Sequence, residues 1–252
     1  MTRLLLINPN TSAHVTERLL AQARVAANGV AEVIGVTATF GAAIIGSRAE
    51  DAIAAHAALE IAARHAAGVD AVVMGVSMDS GLHAVRELLD IPVVGMAEAA
   101  LVTACQLGGR VGCLTLGSRL LPLYRDLTER HGFGARVAAW RALDLPAAYG
   151  PTLDSSSVEA VAQGCRRLVE ADGADVVVLC AAVLAGCGTR VRDIVPVPVI
   201  DAIDAATRQA LLLAALAAPA PRAGSYATPS GRSVTGIADE LRERLGRSAS
   251  MS

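Results

Sequence analysis

An α/β fold of two similar αβα lobes, related by a pseudo-twofold axis and facing one another across a single cleft, is what the sequence predicts, and three observations predict it. Short runs of Val, Ile and Leu alternate with amphipathic stretches of helical length, the pattern of parallel βαβ units. The halves of the chain repeat one another faintly: GVDAVVMGV at 68–76 matches GADVVVLCA at 173–181, and PVVGMAEAA at 92–100 matches PVIDAIDAA at 198–206. Hydrophobic residues make up 53% of the 252 and aromatic ones 2%, so Ala, Val and Leu fill a sizeable core.

Taken in order, Arg3–Ile7 reads as the first strand, and Thr11 or Ser12, both good N-cap residues, opens the helix after it. Glu32–Thr37 is the next strand, followed by a glycine-containing loop and a long alanine-rich helix from about Ala49 to Ala67. Ala71–Gly75 and Pro92–Gly95 complete the first half. The second half reads as a strand at Arg110–Thr115, a helix at Ser118–His131, a strand at Ala135–Trp140 and a helix at Ser156–Ala171. Val176–Leu179 and Pro198–Ile200 follow, each leading towards a helix. RLLLINPNTS at 3–12 parallels RVGCLTLGS at 110–118, which pairs Asn8 with Thr115 and Thr11 with Ser118. The first lobe then comprises 1–107 and 203–223, and the second 108–202. A tail from 224 to 252 wraps the surface, with a short amphipathic helix at Ile237–Leu245 and a disordered end at 247–252.

Composition excludes several chemistries. All 22 cationic residues are arginine, and without lysine there is no Schiff base for pyridoxal phosphate or a lysine aldolase, and no P-loop. A formal charge of −2 gives no basic field for nucleic acid. MTRLLLINPN lacks the apolar region of a signal peptide, and LLLAALAAPAP at 211–221 is too short to span a membrane. Five cysteines without CxxC spacing fit reduced thiols in a cytoplasm, and no metal-ligand cluster is visible. The expectation is a cytoplasmic protein with a small-molecule substrate, no cofactor, no metal, and no nucleic-acid or membrane partner. A homo-oligomer is left open.

In doubly wound sheets the ligand lies beyond the carboxyl ends of the strands. Two facing lobes therefore put residues 7–12, 75–80, 115–118 and 180–186 around one cleft, where helix N-termini favour an anionic ligand.

The residues at this cleft resemble a known family. INPNTS at 7–12, DSGLHAVREL at 79–88, PVVGMAEAA at 92–100, GADVVVL at 173–179 and PVIDA at 198–202 are similar to the aspartate/glutamate/hydantoin racemase superfamily, and most of all to its hydantoin and allantoin racemases. GSYATP at 224–229 resembles the C-terminus of that branch. The resemblance implies cofactor-independent racemisation by two cysteines, one from each lobe: a thiolate removes the α-proton from one face and a thiol returns a proton to the other. Helix N-termini lower the thiol pKa, and backbone amides stabilise the enolate oxygen. Family spacing puts these cysteines at 76 and 181, and the internal repeat pairs the same two positions. The residues there are Val76 and Ala181, which carry no exchangeable proton.

Other groups therefore come into question. Cys180 is one residue from the expected second thiol; it is either an ordinary buried cysteine or, with the strand end shifted by one, the sole proton donor. The arylmalonate decarboxylase branch supports the shifted reading, because it keeps only the second cysteine and has glycine in place of the first, which would be Gly75. Alternation along a strand argues against it. Ser77 and Asp79 are either caps or substrate contacts, and Asp79 is also a candidate base. Asn8, Asn10, Thr11 and Ser12, with Thr115 and Ser118 from the other lobe, match positions that the resemblance gives to substrate, and Ala182 joins them. His14 and His83 read as solvated helix residues or substitute bases, Arg48 as a surface residue or carboxylate partner, and Cys187 as a residue of a loop or first helical turn, or a catalytic thiol. Cys105, Cys113 and Cys165 read as core. Three functions remain: a racemase-family enzyme acting at the acidic carbon of a small amide or carboxylate, such as a hydantoin, with altered catalytic groups; a single-thiol decarboxylase using Cys180; and an inactive paralogue that binds a small molecule or partner subunit in the old cleft.

Overall fold

The computed structural model describes residues 1–150, 152–217, 221, 223–227, 229 and 231–246. The first lobe runs β1 (Thr2–Asn8), α1 (Ala13–Ala27), β2 (Ala31–Thr37), α2 (Arg48–His65), β3 (Ala71–Met74), α3 (Leu82–Leu88) and β4 (Val93–Gly95). Its strands form a parallel sheet in the order β2-β1-β3-β4. After α4 (Met96–Leu107) the pattern repeats as β5 (Val111–Leu116), α5 (Leu121–Arg130), β6 (Val137–Leu143), α6 (Ser155–Glu170), β7 (Val176–Leu179), α7 (Cys187–Val191) and β8 (Val199–Asp201). The second sheet is again parallel, in the order β6-β5-β7-β8. The registers correspond: Leu4 to Ile7 pair with Ala71 to Met74, and Val111 to Leu114 with Val176 to Leu179. The central strands are apolar at successive positions because helices cover both of their faces, and Leu4, Leu5, Leu6 and Ile7 are all fully buried.

The helices follow from spacing and caps. In α6, Val158, Val161, Ala162, Cys165 and Leu168 form one buried stripe, and the Asp154 carboxylate caps the helix by accepting from Ser157 N at 2.7 Å. In α2, the Ser47 hydroxyl accepts from Glu50 N while the Glu50 carboxylate accepts from Ser47 Oγ and Gly46 N. Ala54, Ala57, Ala58, Ile61 and Ala62 bury the face between. The stretch 118–131 is not one helix: Ser118–Leu120 forms a 3-10 turn, and α5 begins beyond it with Pro122 in its first turn. Proline is tolerated there because the first N–H groups of a helix have no internal partner. A second 3-10 turn at Gly134–Arg136 delays β6 to Val137.

Two helices cross between the lobes. α4 continues from β4 but packs on β5, β7 and β8, whereas α8 (Ala202–Leu216) continues from β8 and packs on β1, β3 and β4. α4 and α8 lie against one another, their buried faces rich in alanine (Ala97, Ala100 and Ala104; Ala202, Ala206 and Ala210). A boundary along the chain and a boundary in space therefore differ by these helices. The tail closes with α9 (Asp239–Leu245), whose Leu241 packs against Ala63 and Leu88. Residues 247–252 lie outside the described residues. Among those described, no helix is long and apolar enough to cross a membrane.

Candidate functional site

The carboxyl ends of both sheets converge on a pocket between the lobes. Asn10, Ile44, Ile45, Val76, Ser77 and Met78 line it from the first lobe, and Thr115, Leu116, Tyr124, Tyr149, Ala181, Ala182 and Val183 from the second. Among the described residues, the lining contains no carboxylate, basic or thiol side chain.

The two walls are built alike. Gly75 N donates to Ile7 O and Cys180 N to Leu114 O, each at 2.7 Å, which ends the pairing of β3 and β7 at matched positions. The chain then turns: Asp79 N donates to Val76 O at 3.2 Å and Leu184 N to Ala181 O at 2.9 Å. Val76 and Ala181 are thus the first residues of equivalent turns on opposite walls. The backbone N–H groups of Ser77, Met78, Ala182 and Val183 have no acceptor among the described residues, and all four residues line the pocket. Such unpaired amides suit a carbonyl or carboxylate oxygen.

A chain of hydroxyls joins the walls at the floor. Ser77 Oγ lies 2.7 Å from the Tyr124 hydroxyl, which also bonds Thr115. Thr115 Oγ1 donates to Cys180 O at 2.8 Å. Tyr124 stacks on Trp140 with ring centroids 4.7 Å apart. Burial raises the Tyr124 hydroxyl far above its ordinary value, against the opposing bonds from Ser77 and Thr115, so it stays protonated. Burial also raises Tyr149.

Several expected site residues lie elsewhere. The Cys180 thiol is fully buried and bonds Cys113, not the pocket; burial, and then Cys180 itself, push the Cys113 thiol well up. This corrects the shifted reading of the strand end: neighbouring side chains leave a strand on opposite sides, so with Ala181 facing the pocket Cys180 faces the core. Asp79, read as a candidate base, is a cap instead. Its carboxylate accepts from Ala97 N at 3.0 Å and Glu98 N at 2.9 Å at the start of α4, and lies 3.3 Å from His131 Nε2. Holding it there costs a left-handed backbone, φ 52°, on the order of 1 kcal/mol.

Asn8 is buried behind the wall, where Nδ2 donates to Asn10 Oδ1 and Thr16 Oγ1. Thr11 N and Ser12 Oγ donate to Ala42 O and Ala43 O, fixing the loop that carries Ile44 and Ile45. Ser118 is exposed outside the pocket. Of the expected contacts, Asn10, Ser77, Thr115 and Ala182 line it together with Val76 and Ala181. His14 Nε2 bonds Tyr149 O at 3.0 Å, and His83 Nδ1 the tail hydroxyl of Tyr226 at 2.5 Å. Burial, then Arg86 and His131, lower the His83 pKa. Arg48 pairs with exposed Asp126 across the lobes. Cys187 is buried in α7, its thiol raised to about 11 by burial. Among the described residues, no group of three or more His, Cys, Asp or Glu is placed to hold a metal.

Four side chains did not stand out in the sequence. Tyr124 and Tyr149 sit in segments that the internal repeat does not match. Arg18 on α1 donates to Ala148 O, Val183 O and Gly150 O of the second lobe, backbone partners that no sequence pattern announces. Asp201 was visible only as part of PVIDA. Its buried carboxylate accepts from Gly186 N, Gly188 N and Ile203 N, which ties the end of β8 to the loop after β7.

Comparison with known proteins agrees with this fold. The family description Asp/Glu/Hydantoin racemase matches residues 4–210. A hydantoin racemase of Paenarthrobacter aurescens is 31% identical over 231 residues, covering 90% of this chain and 98% of that protein. The allantoin racemase from Klebsiella pneumoniae superposes with a TM-score of 0.90 at 34% identity, covering 96% of this chain and 99% of that one. The allantoin racemase from Pseudomonas fluorescens gives 0.89 at 31%, covering 93% of this chain and 100% of that one. The chain belongs to the Asp/Glu/hydantoin racemase family.

Proposed function

We propose that this chain binds a small cyclic amide or carboxylate of the hydantoin kind between its lobes and polarises the ligand's carbonyl, without inverting the neighbouring carbon by the two-thiol route. The observation that carries the reading is the matched pair of turns. Each offers unpaired amides to an oxygen, while Val76 and Ala181, which open the two turns at the positions where the family resemblance implies an acid and a base, carry no exchangeable proton. Inversion needs proton exchange on opposite faces. Among the described residues, the titratable side chains lining the pocket are Tyr124 and Tyr149, both from the second lobe and both held protonated. An uncharged lining also favours a neutral ligand or a single carboxylate over a dicarboxylate.

A second reading is favoured by the 2.7 Å contact of Ser77 with Tyr124. A protonated Tyr124 hydroxyl supplies a proton from one side only, which suits protonation of an enolate and not racemisation.

The experiment pairs calorimetric binding with α-deuterium exchange from D₂O, using hydantoins, allantoin and amino acids in both enantiomers. Wild type is expected to bind a hydantoin or allantoin without deuterating both enantiomers. The double variant Val76→Cys, Ala181→Cys should gain exchange with inversion, by about 100-fold or more over wild type. Exchange with retained configuration in wild type supports the second reading. Absence of binding across the panel, or racemisation by wild type, refutes the first.

A further inference from the structure

The geometry points to Arg18 as a positioning residue that latches the second-lobe wall of the pocket onto α1, with His14 as its companion. The reason begins in two short 3-10 turns, Pro146–Tyr149 and Ala182–Leu184. Helical turns leave their last carbonyls without backbone donors and carry partial negative charge at that end. Here the internal bonds stop at Gly150 N to Ala147 O and Ala185 N to Ala182 O, so the carbonyls of Ala148, Tyr149, Gly150 and Val183 need outside donors. All four find them on α1. Arg18 Nη1 donates to Ala148 O at 3.0 Å and to Val183 O, Nη2 donates to Gly150 O at 2.5 Å, and His14 Nε2 meets Tyr149 O at 3.0 Å.

A guanidinium presents a rigid fork of donors, so it can hold two separate loops in one geometry, which a flexible ammonium does less well. Arg18 has no carboxylate partner among the described residues. Its charge is therefore answered by the ends of the two turns, while desolvation lowers its pKa. The latched backbone carries Tyr149 and Val183, both of which line the pocket. One turn ahead on the same helix lies Val15, which lines the pocket from the first lobe. A single helix thus sets the spacing of both walls, and releasing Arg18 frees one of them. Gln22, one turn beyond, donates to Asp204 of α8 at 2.7 Å and so ties α1 within its own lobe.

The test needs no natural ligand, so it stands apart from the reading of what the pocket binds. A Val76→Cys reporter places a thiol in the pocket, and its alkylation by iodoacetamide, corrected for the native cysteines, measures access. Arg18→Met in that background should speed alkylation about 10-fold or more, and should raise amide hydrogen exchange across 144–150 and 182–186 while β1 and β3 stay protected. Arg18→Lys should fall between, and His14→Gln, which keeps a donor for Tyr149 O, should remain within about twofold of the parent. If Arg18→Met does not fold, Arg18→Gln carries the same comparison. Alkylation within about twofold of the parent, or exchange that rises uniformly over the whole chain, overturns the latch and leaves Arg18 as a general stabiliser.

Discussion

Asp201 should make folding stability fall as pH rises, and replacing it by asparagine should remove that fall. Its carboxylate accepts from Gly186 N at 2.7 Å, Ile203 N at 3.3 Å and Gly188 N at 3.4 Å, yet burial and the nearby Asp204 charge outweigh these amides and lift its titration from 3.8 to about 7. Between those values the folded protein holds a proton that the unfolded chain has released. The stabilisation is therefore complete below the unfolded value and is lost as pH rises through about 7. At about 1.4 kcal/mol for each pH unit, the window holds on the order of 4 kcal/mol. Asparagine does not titrate; it keeps one acceptor oxygen and turns an amide towards the loop donors, so Asp201→Asn lowers stability at low pH while flattening the slope. Urea unfolding of both proteins from about pH 4 to pH 8 reads the difference directly. Wild type should lose about 3–4 kcal/mol more than the variant across that range. Parallel curves, or a wild type that gains stability towards neutral pH, would mean that the three amides win over burial and would refute the reasoning.

Two further predictions concern the cap and the thiol. A methyl group at residue 95 would lie 2.6 Å from Asp79 Oδ2 and from Leu82 Cδ2, so Gly95→Ala should cost about 2–4 kcal/mol by displacing the α4 cap, read from thermal or urea unfolding. A loss below about 0.5 kcal/mol would show that Asp79 has room to move. Cys180→Ala removes a buried thiol from the core and should cost about 1–2 kcal/mol while leaving hydantoin affinity unchanged. A tenfold loss of affinity with unaltered stability would return Cys180 to the site.

Much of the architecture was legible because the chain states it twice. The paired blocks ending at Val76 and Ala181 gave the equivalent turns, and strand and helix limits fell within a few residues. The packing of α4, assigned with 1–107 to the first lobe, on the second sheet was not legible. Its alanine stripe fits either sheet, and its destination is set by surfaces that come together only in three dimensions. Of the residues that spacing singled out, Val76, Ala181, Ser77, Thr115 and Asn10 line the pocket, but spacing did not separate them from polar neighbours that do not. Asn8, Thr11 and Ser12 belong to the same motif as Asn10 and spend their hydrogen bonds holding loops. Asp79 reads as a base until the start of α4 is seen to lie against it. Cys180 differs from Ala181 by one residue and by the whole thickness of the wall, which alternation along the strand already implied.

The crossing of α4 and α8 also bears on how the cleft can open. Each strand set is roofed by a helix that the chain delivers from the other set, so the halves are bound together like two boards sharing one spine. Any gape wide enough to admit a ligand is then a change of angle about that spine, not a separation of the lobes. Residues far from the pocket, along the alanine faces of these two helices, would set the stiffness of that opening. Two fragments cut between residues 107 and 108 would each carry a roof shaped for the other, and should regain the fold only when mixed.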